Sequence, residues 1–383
     1  MNSIYFDHAA TTAMHPDVLN VYVEAVRSGP GNPSSLHAHG RAARERISQA
    51  RDSLASLLHC EASELIFTGS GTESDNSALF GAALAQKKRG RNGIVTTAIE
   101  HHAVLHACRQ LESQGFSLTV LPVDEFGRVS LEDAKLAIND TTAIVSIMAG
   151  NNETGTLQPF AEIGELARKH KALMHVDAVQ AFGYLPFNLK ELPIDFLSLS
   201  AHKINGPQGV GLLYVRKGTP FQPILHGGSQ ERNRRAGTEN VAGIVAFAKA
   251  AMIACGQLQS RWDHAEDIRI TVLERLSELF GPEQFVINGH LEDRLPHILN
   301  ISFTGISAES MLMNLDLAGV SASGGSACNS GSLKPSHVLS AMKFSSERVS
   351  SAVRFSFGLG NTREEADKLA KITATISARL RIN

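Results

Sequence analysis

Short apolar runs alternate with longer stretches of helical periodicity through residue 256. The short runs are bounded by Gly, Pro or polar residues, as strands are, whereas the longer stretches keep their apolar residues on one face, as helices do. The predicted strands cover residues 64–68, 94–97, 118–122, 143–147, 172–176, 194–200 and 211–215. Strands that alternate with helices in this way predict an open, mostly parallel sheet with helices on both faces.

Three parts of the chain are distinguished by these patterns. Residues 1–15 are predicted to be an N-terminal segment that packs near the ligand site, in which residues 5–12 form a short strand that leads into a turn of small residues. Residues 16–256 form the large sheet domain, in which the helix after residues 34–35 is expected to turn its Arg and Glu side chains to water. Residues 257–383 form a smaller α+β domain that ends in a long helix.

Polar residues follow the predicted strands at the point where each strand ends. Ligands of open α/β sheets bind outside the carboxyl ends of the strands, so these residues are candidates for one site. They are Thr72, His101, Asn152, Asp177, Gln180, Ser200, His202 and Lys203. Lys203 is the most informative of them, because a lysine near a buried strand end loses its proton more readily and its neutral amine forms a Schiff base with an aldehyde.

A turn with two glycines, residues 69–76, joins the strand at 64–68 to an alanine-rich helix. Glycines allow a tight turn, and the free N–H groups of the helix that follows suit a phosphate. The turn is not a Walker loop, and Ser74 stands where the third glycine of a dinucleotide-binding fingerprint would be. An ordinary strand-to-helix turn is the alternative interpretation.

Two features of the small domain suggest chemistry. Cys328 lies among Gly, Ser and Ala residues, and an exposed thiol on such a segment is a candidate nucleophile. Arg354 lies in the middle of a predicted strand, where a fixed guanidinium suits a carboxylate; an internal ion pair is the alternative.

Composition excludes several classes of function. The 383 residues carry 36 Lys+Arg and 38 Asp+Glu, so the net charge of -2 gives no footprint for nucleic acid or an anionic membrane. No apolar run is long enough to span a bilayer, and residues 1–8 lack the pattern of a signal peptide. The four cysteines form no C-x-x-C pair, which favours a reducing, cytoplasmic location. Among the 16 histidines, the pairs His101-His102 and His37/His39 have neither the i, i+4 spacing nor a nearby Cys pair of a zinc site, so no intrinsic metal is expected.

A phosphate turn, an aspartate, a histidine and a lysine at one sheet edge are the groups that pyridoxal phosphate requires. With Cys328, the motifs also resemble those of the cysteine desulfurases, which are fold-type I, class V aminotransferase-like enzymes. The motifs are Asp7-His8-Ala9-Ala10-Thr11-Thr12, Gly69-Ser70-Gly71-Thr72-Glu73-Ser74-Asp75-Asn76, Glu100-His101, Asn151-Asn152-Glu153, His175-Val176-Asp177-Ala178-Val179-Gln180, Ser200-Ala201-His202-Lys203 and Ser326-Ala327-Cys328. Ala201 and Gln208 depart from the usual pattern, but neither removes a catalytic group.

The resemblance implies a fold of the pyridoxal phosphate-dependent transferase type I and assigns the chemistry to four residues. Lys203 would hold the cofactor, Asp177 would pair with its pyridine nitrogen, and His101 would stack on the ring and assist proton transfer. Cys328 would attack the sulfur of the bound cysteine, which leaves alanine and a cysteine persulfide. The length of its arm resembles the long-loop branch of the family. The thiol is also expected to ligate iron-sulfur transiently with a scaffold partner.

The remaining implied residues bind cofactor or substrate. They are Gly71, Thr72, Ser200 and His202 at the phosphate, Thr238 from the partner subunit of a homodimer, Asn152 and Gln180 at the ring, and Arg354, Asn32 and Asn152 at the substrate. The implied partners are L-cysteine and a protein that accepts the sulfur, either an iron-sulfur scaffold or a tRNA-thiolating enzyme. A selenocysteine lyase, a sulfide-releasing cysteine lyase and a non-enzymatic metal- or phosphate-binding scaffold are the alternatives.

Overall fold

The computed structural model of the protein describes residues 3–325 and 335–382. Its strands are short, as the apolar runs predict. They are β1 Ile4–Tyr5, β2 Leu65–Thr68, β3 Gly93–Thr97, β4 Ser117–Leu121, β5 Thr142–Ser146, β6 Leu173–Asp177, β7 Phe196–Ser200, β8 Gly211–Val215, β9 Phe285–Asn288, β10 Ile298–Phe303, β11 Val320–Ser321 and β12 Ala352–Ser356.

Helices occupy most of the chain between these strands. They are α1 Pro16–Arg27, α2 Ala38–Leu58, α3 Gly71–Lys87, α4 His102–Ser113, α5 Leu131–Ala137, α6 Phe160–Lys169, α7 Gln230–Asn233, α8 Val241–Gly256, α9 Leu258–Leu279, α10 Ala308–Leu317, α11 His337–Ala341, α12 Ser346–Ser350 and α13 Arg363–Ile382. Helix α1 was not predicted, and α7 is a single irregular turn.

The central sheet has seven strands in the order β2-β8-β7-β6-β5-β3-β4. Strand β8 runs antiparallel to β7 and β2, and the other pairs of neighbours are parallel. Every strand but β8 therefore ends at the same edge, here called the carboxyl edge, and β8 ends at the opposite, amino edge. The predicted mostly parallel sheet is confirmed.

Helix α3 shows how the sequence covers this sheet. Ser70 caps its first turn by accepting a hydrogen bond from the Glu73 N–H at 3.1 Å. Ala78, Ala82 and Ala83 are fully buried against the strands, because their small side chains allow helix and sheet to approach closely. The N-terminus of α3 is thereby fixed at the carboxyl edge.

Helix α2 departs from the expectation that its charged residues face water. Arg51 is buried, and its guanidinium pairs with the Glu231 carboxylate through two hydrogen bonds of 2.7 Å. It also donates to the Leu65 carbonyl at 2.7 Å. The prediction was wrong here because the partner of Arg51 is 180 residues away in the sequence.

The second sheet is antiparallel, with the order β12-β10-β9, and α9, α10 and α13 pack on it. Ile4 and Phe6 belong to the same apolar core, and β1 pairs with β11 in parallel. The predicted short strand followed by a turn of small residues is found, with the strand limited to Ile4–Tyr5. Residues after it turn, because the Asp7 carbonyl accepts from the Ala10 N–H at 2.9 Å and Thr12 bonds to the backbone of His202.

The predicted boundary at residue 256 falls where α8 ends and α9 begins; the division into three parts stays a prediction. In the described residues no single helix is long and apolar enough to cross a membrane. Helices α8 and α9, which meet at a bend of 74°, reach that length and hydropathy only when they are taken together.

Candidate active site

A cavity of about 230 Å³ opens at the carboxyl edge of the seven-stranded sheet. Most of the residues predicted for the site line it, although they come from separate elements and distant parts of the sequence. They are Gly71, Thr72, His101, Asn152, Asp177, Gln180, Ser200, His202, Lys203 and Arg354. The topology brings all of them but Arg354 together, because the strands that precede them end at one edge; Arg354 comes from β12 of the second sheet.

Lys203 lies on a short 3-10 turn, Ala201–Lys203, directly after β7. Asn205 ends this turn with a positive φ of 63°, and the chain then reverses into β8. The Lys203 ammonium donates to the carbonyl oxygens of Ala9 and Ala10, the latter at 2.7 Å. The N-terminal segment therefore forms one wall of the cavity and contacts its lysine.

Asp177, the last residue of β6, is buried in the floor of the cavity. Its Oδ1 accepts from the Val179 N–H at 2.9 Å. Burial and, to a smaller extent, the nearby Asp75 carboxylate raise the pKa of its carboxyl to about 7. A positive charge next to the Asp177 carboxyl would stabilise its charged form. A protonated ring nitrogen carries such a charge.

Asp75 and His175 form a buried polar layer behind Asp177. Burial raises the pKa of Asp75, whose Oδ1 lies 3.5 Å from His175 Nε2. Burial lowers the pKa of His175 to about 4, so the ring is neutral at pH 7. The same ring contacts the Ser146 and Ser198 hydroxyls at 2.8 and 2.9 Å. The charge on Asp177 is therefore sensitive to a network that extends into the sheet.

His101 caps α4 on the opposite side of the cavity. Its Nδ1 accepts from the Ala103 N–H at 3.2 Å. Burial, followed by the charge of Lys203, lowers the pKa of the ring to about 4. The neutral ring therefore carries its proton on Nε2, the nitrogen that Ala103 does not bond.

The N-terminus of α3 forms the polar end of the cavity. Gly71 is required there, since an added Cβ would lie 2.8 Å from Cγ2 of Val179. Ser200 and His202 face it from the end of β7, and His202 Nδ1 lies 3.1 Å from the Thr11 hydroxyl. Burial lowers the pKa of His202 to about 4, so it contributes a neutral ring.

Arg354 reaches the cavity from β12 of the small domain. One guanidinium nitrogen donates to the Asn152 carbonyl at 2.8 Å and another to the Asp7 carboxylate at 2.9 Å. The sequence left two roles open for Arg354, a carboxylate-binding residue or a member of an internal ion pair. In the structure Arg354 forms an ion pair with Asp7 and also lines the cavity. Nε of Arg354 is buried and has no hydrogen bond within the described part of the chain.

Two predicted residues of the described part of the chain, Asn32 and Thr238, do not line the cavity. Asn32 is exposed and closes its own turn by accepting from the Ser34 N–H at 2.9 Å. Thr238 is exposed on the loop before α8. Cys328 lies outside the described residues.

Sequence reasoning missed other parts of the wall. Asp75 was predicted within the turn of residues 69–76 but was given no role, although a carboxylate next to buried alanine positions is a usable signal. Gln180 was predicted, but not that its Nε2 donates to the Ala9 carbonyl at 2.9 Å, the same oxygen that Lys203 contacts. In the described residues no group of three or more His, Cys, Asp or Glu side chains is arranged to hold a metal ion.

The donor set fits pyridoxal phosphate. An amine for the aldehyde, a buried carboxyl for the ring nitrogen and a helix N-terminus for the phosphate share one cavity. Val179 leaves no room for a Cβ at residue 71, so this position is a glycine. No side chain at that position therefore covers the N–H groups at the start of α3.

Residues 4–369 match the family model described as aminotransferase class-V. The chain belongs to this family. This class-V aminotransferase family member is 44% identical over 379 residues to cysteine desulfurase IscS of Methanosarcina thermophila, with 99% of this chain and 93% of the relative covered. It is 48% identical over 381 residues to an IscS-named protein of Bacillus subtilis (strain 168), with 99% and 100% covered.

Solved structures of class-V relatives are similar over almost the whole chain. A protein named NifS-like superposes with a TM-score of 0.91 at 38% identity, and 100% of both chains is covered. SspA in complex with cysteine superposes with a TM-score of 0.82 at 32% identity, covering 93% of this chain and 99% of that one. The predicted fold class and the predicted resemblance to cysteine desulfurases are confirmed.

Proposed function

We propose that the protein is a pyridoxal phosphate-dependent cysteine desulfurase that converts L-cysteine to L-alanine and transfers the sulfur to Cys328. The observation that carries the proposal is that Lys203, Asp177 and the N-terminus of α3 share one cavity with His101. Relatives with the name cysteine desulfurase match this chain over nearly its full length, which supports the same chemistry.

In this proposal Lys203 binds the cofactor aldehyde, Asp177 pairs with the ring nitrogen, and Gly71, Thr72, Ser200 and His202 hold the phosphate. When bound, the cofactor supplies an electron sink for breaking bonds next to the substrate amino group. Asn152 and Gln180 orient the ring. His101 is neutral and carries its proton on Nε2, so it is suited to donate a hydrogen bond and to move a proton at that atom.

Arg354 and Asn32 are proposed to bind the substrate carboxylate, with Asn152 beside them. The Cβ–S bond of cysteine breaks, a bond forms between that sulfur and the Cys328 thiolate, and a proton returns to Cβ. Cysteine and the enzyme thiol thus give alanine and a persulfide, with no external oxidant or reductant. A low-pKa thiol is the better nucleophile for this step.

The assembly and the destination of the sulfur belong to the same proposal. We propose a homodimer in which Thr238 reaches the phosphate of the partner subunit, since it is exposed and does not line its own cavity. The persulfide is then passed to an iron-sulfur scaffold or a tRNA-thiolating enzyme. The few, scattered cysteines favour a reducing, cytoplasmic location.

The test is to load the protein with pyridoxal phosphate, add L-cysteine and measure alanine together with the persulfide at Cys328 by mass spectrometry. We expect both products in equal amounts in the first turnover. Cys328→Ala should keep the absorbance of the bound cofactor and lose both products. Undiminished alanine formation in Cys328→Ala would remove Cys328 as the sulfur acceptor. Sulfide released together with pyruvate and ammonia, in place of alanine, would indicate a sulfide-releasing lyase, and faster turnover of selenocysteine would indicate a selenocysteine lyase.

A further inference from the structure

Two stretches of backbone meet at the carboxyl group of Glu153, on the turn after β5. The Ser336 hydroxyl donates to Glu153 Oε2 at 2.5 Å. A Cβ added at Gly325 would lie 2.9 Å from the same oxygen and 3.5 Å from the Ser336 Cβ, so the Gly325 backbone packs directly against both residues. Gly325 precedes Cys328 by three positions in the sequence and Ser336 follows it by eight. The chain therefore enters and leaves the segment that carries Cys328 at one carboxyl group.

Glu153 is held in place by the scaffold around it. Its side chain is fully buried, its N–H donates to Asn151 Oδ1 at 2.9 Å, and its carbonyl accepts from Asn300 Nδ2 at 3.1 Å. Burial raises the pKa of its carboxyl, while the Ser336 hydrogen bond and the Arg354 charge oppose the rise. Its Oε1 has no hydrogen bond among the described residues. A buried oxygen of this kind costs stability, and such features are typical of functional positions.

The entry side of the segment is connected to the cavity through Arg354. The Arg354 backbone exchanges two hydrogen bonds, of 2.7 and 3.1 Å, with Ser323, which lies two residues before Gly325. Its guanidinium donates to the carbonyl of Asn152, the residue before Glu153. The proposed carboxylate-binding arginine, the Asn152 turn and the start of the segment thus form one hydrogen-bonded unit.

The exit side is connected to the turn that carries His101. His337 Nε2 donates to the Glu100 carbonyl at 2.9 Å, and the His337 ring lies 4.5 Å from the ring of His102. Ser336 caps the helix that begins there, because its Oγ accepts from the Leu339 N–H at 3.1 Å. Both ends are therefore attached to residues next to the cavity, and Glu153 is the group that they share.

We propose that Glu153 is a positioning residue for sulfur transfer, which holds Gly325 and Ser336 together so that the segment between them starts and ends beside the cavity. This inference rests on the proposed function. Glu153 acts through the segment that carries Cys328 and makes no contact with substrate in the reaction. Its contribution belongs to the step that forms the persulfide and not to the binding of cofactor or cysteine.

The test compares Glu153→Ala and Glu153→Gln in the holoenzyme. Gln keeps an acceptor oxygen for the Ser336 hydroxyl, whereas Ala removes it. We expect Glu153→Ala to slow single-turnover persulfide formation at Cys328 about tenfold, because a displaced reacting group loses rate steeply. The cysteine concentration that half-saturates the absorbance change of the cofactor should stay within about twofold, and Glu153→Gln should restore most of the rate.

Hydrogen exchange gives a readout that does not depend on turnover. In Glu153→Ala without cysteine, amide exchange should rise about tenfold at Gly324, Gly325 and residues 336–341, but not in β5 or β6, because only local opening becomes easier. Ser336→Ala serves as the second variant if Glu153→Ala fails to fold, and it should raise exchange at the same amides. At Gly324 and Gly325 the double variant should exchange no faster than Glu153→Ala, whereas residues 337–341 should exchange faster still, because Ser336 also caps that helix.

Glu64→Ala is the matched control. Glu64 is also buried and joins two stretches of backbone, since its carboxylate accepts from the Glu61 and Lys217 N–H groups at 2.8 and 2.7 Å. Its loss should leave persulfide formation unchanged. Unchanged exchange at both ends of the segment, or an equal loss of cysteine binding in Glu153→Ala, overturns the inference. If the wild type forms no alanine from cysteine, the proposed function fails instead, and the exchange result still reports on Glu153.

Discussion

At the carboxyl edge of the seven-stranded sheet Asp177 and Lys203 line a cavity at the N-terminus of a helix, whereas at the amino edge Asp195 and Arg216 line a depression in which no such helix N-terminus is found among its described lining residues. Asp195 Oδ2 accepts from the Met174 N–H at 2.8 Å. Arg216 donates to the carbonyls of Ile194, Leu189 and Leu192, each at 2.8 Å. Charged residues bond to backbone groups at both edges, but at the carboxyl edge they do so in the wall of a cavity that Thr72, His101 and Arg354 also line.

This difference follows from the direction of the chain. At the amino edge, connections enter the strands and bring carbonyl groups within reach of Arg216. At the carboxyl edge, connections leave for the helices, and the N–H groups at the start of α3 and α4 face the space above the strands. A charged side chain that forms hydrogen bonds with backbone groups stabilises the fold. A charged side chain that faces a cavity can bind a ligand, but it lowers the free energy of unfolding.

Replacement of Lys203 should have the largest effect. Lys203→Ala removes the amine that is proposed to bind the cofactor and move protons, so we expect a loss of activity of about 10³-fold or more. Lys203→Arg should lose as much, because a guanidinium keeps the charge but does not form a Schiff base. The check is alanine formation together with the absorbance of the bound cofactor. An active Lys203→Arg enzyme would contradict the proposed role.

Asp177→Asn and Asp195→Asn test the comparison with matched substitutions at the two edges. Each asparagine keeps an oxygen that accepts the local N–H group, so the fold is retained. Asp177→Asn should lower kcat/KM about 10²-fold, because an amide does not stabilise a protonated ring nitrogen. Asp195→Asn should leave kcat/KM within about twofold and change mainly the free energy of unfolding. Equal losses of activity at both positions would show that the two edges do not differ in this way.

Strand ends and their polar residues were predictable because strands and helices have different periods, and Asp177 and Lys203 were found in this way. The pairing of Arg51 with Glu231 was not, because helical periodicity places Arg51 on a polar position and says nothing of a partner far away in the sequence. Asp75 escaped for a related reason. Its role depends on His175 of β6, and α3 meets that strand only in the folded sheet.

The N-terminal segment illustrates a second limit. Its motif pointed to the site, and a short strand and a turn were predicted over residues 5–12, but not that most of the hydrogen bonds of this segment go to distant elements. Lys203 and Gln180 both contact the Ala9 carbonyl, and Arg354 contacts Asp7. Sequence motifs identify side chains and not backbone contacts. The backbone carbonyl groups that form the wall of this site could therefore not be predicted.

Stability should depend on pH through the carboxyl edge. The folded-state pKa of Asp177 is raised from 3.8 to about 7, so the folded protein holds this proton more tightly than the unfolded chain. Between about pH 4 and 7 its contribution to the free energy of unfolding therefore falls as pH rises. In cofactor-free protein, the stability of Asp177→Asn relative to wild type should rise across this range.

Denaturant unfolding at several pH values measures this effect. The difference between variant and wild type is required, because the buried His175, whose pKa is lowered to about 4, contributes the opposite slope over part of this range. A difference that does not change with pH would show that Asp177 is not buried as a proton-holding group.

The smallest effect is expected for Lys217, which follows β8 at the amino edge, while Lys203 precedes β8 at the carboxyl edge. The Lys217 ammonium pairs with the Glu61 carboxylate at 3.0 Å, but both side chains are more than half exposed. Solvent screens such a pair, so Lys217→Ala should change the free energy of unfolding by less than about 1 kcal/mol and leave alanine formation unchanged. Lys203→Ala and Lys217→Ala both remove a lysine next to β8. A loss of activity in Lys203→Ala alone would therefore be due to the position of the lysine and not to the loss of a lysine as such. A loss of activity in Lys217→Ala would mean that the amino edge also takes part in the site.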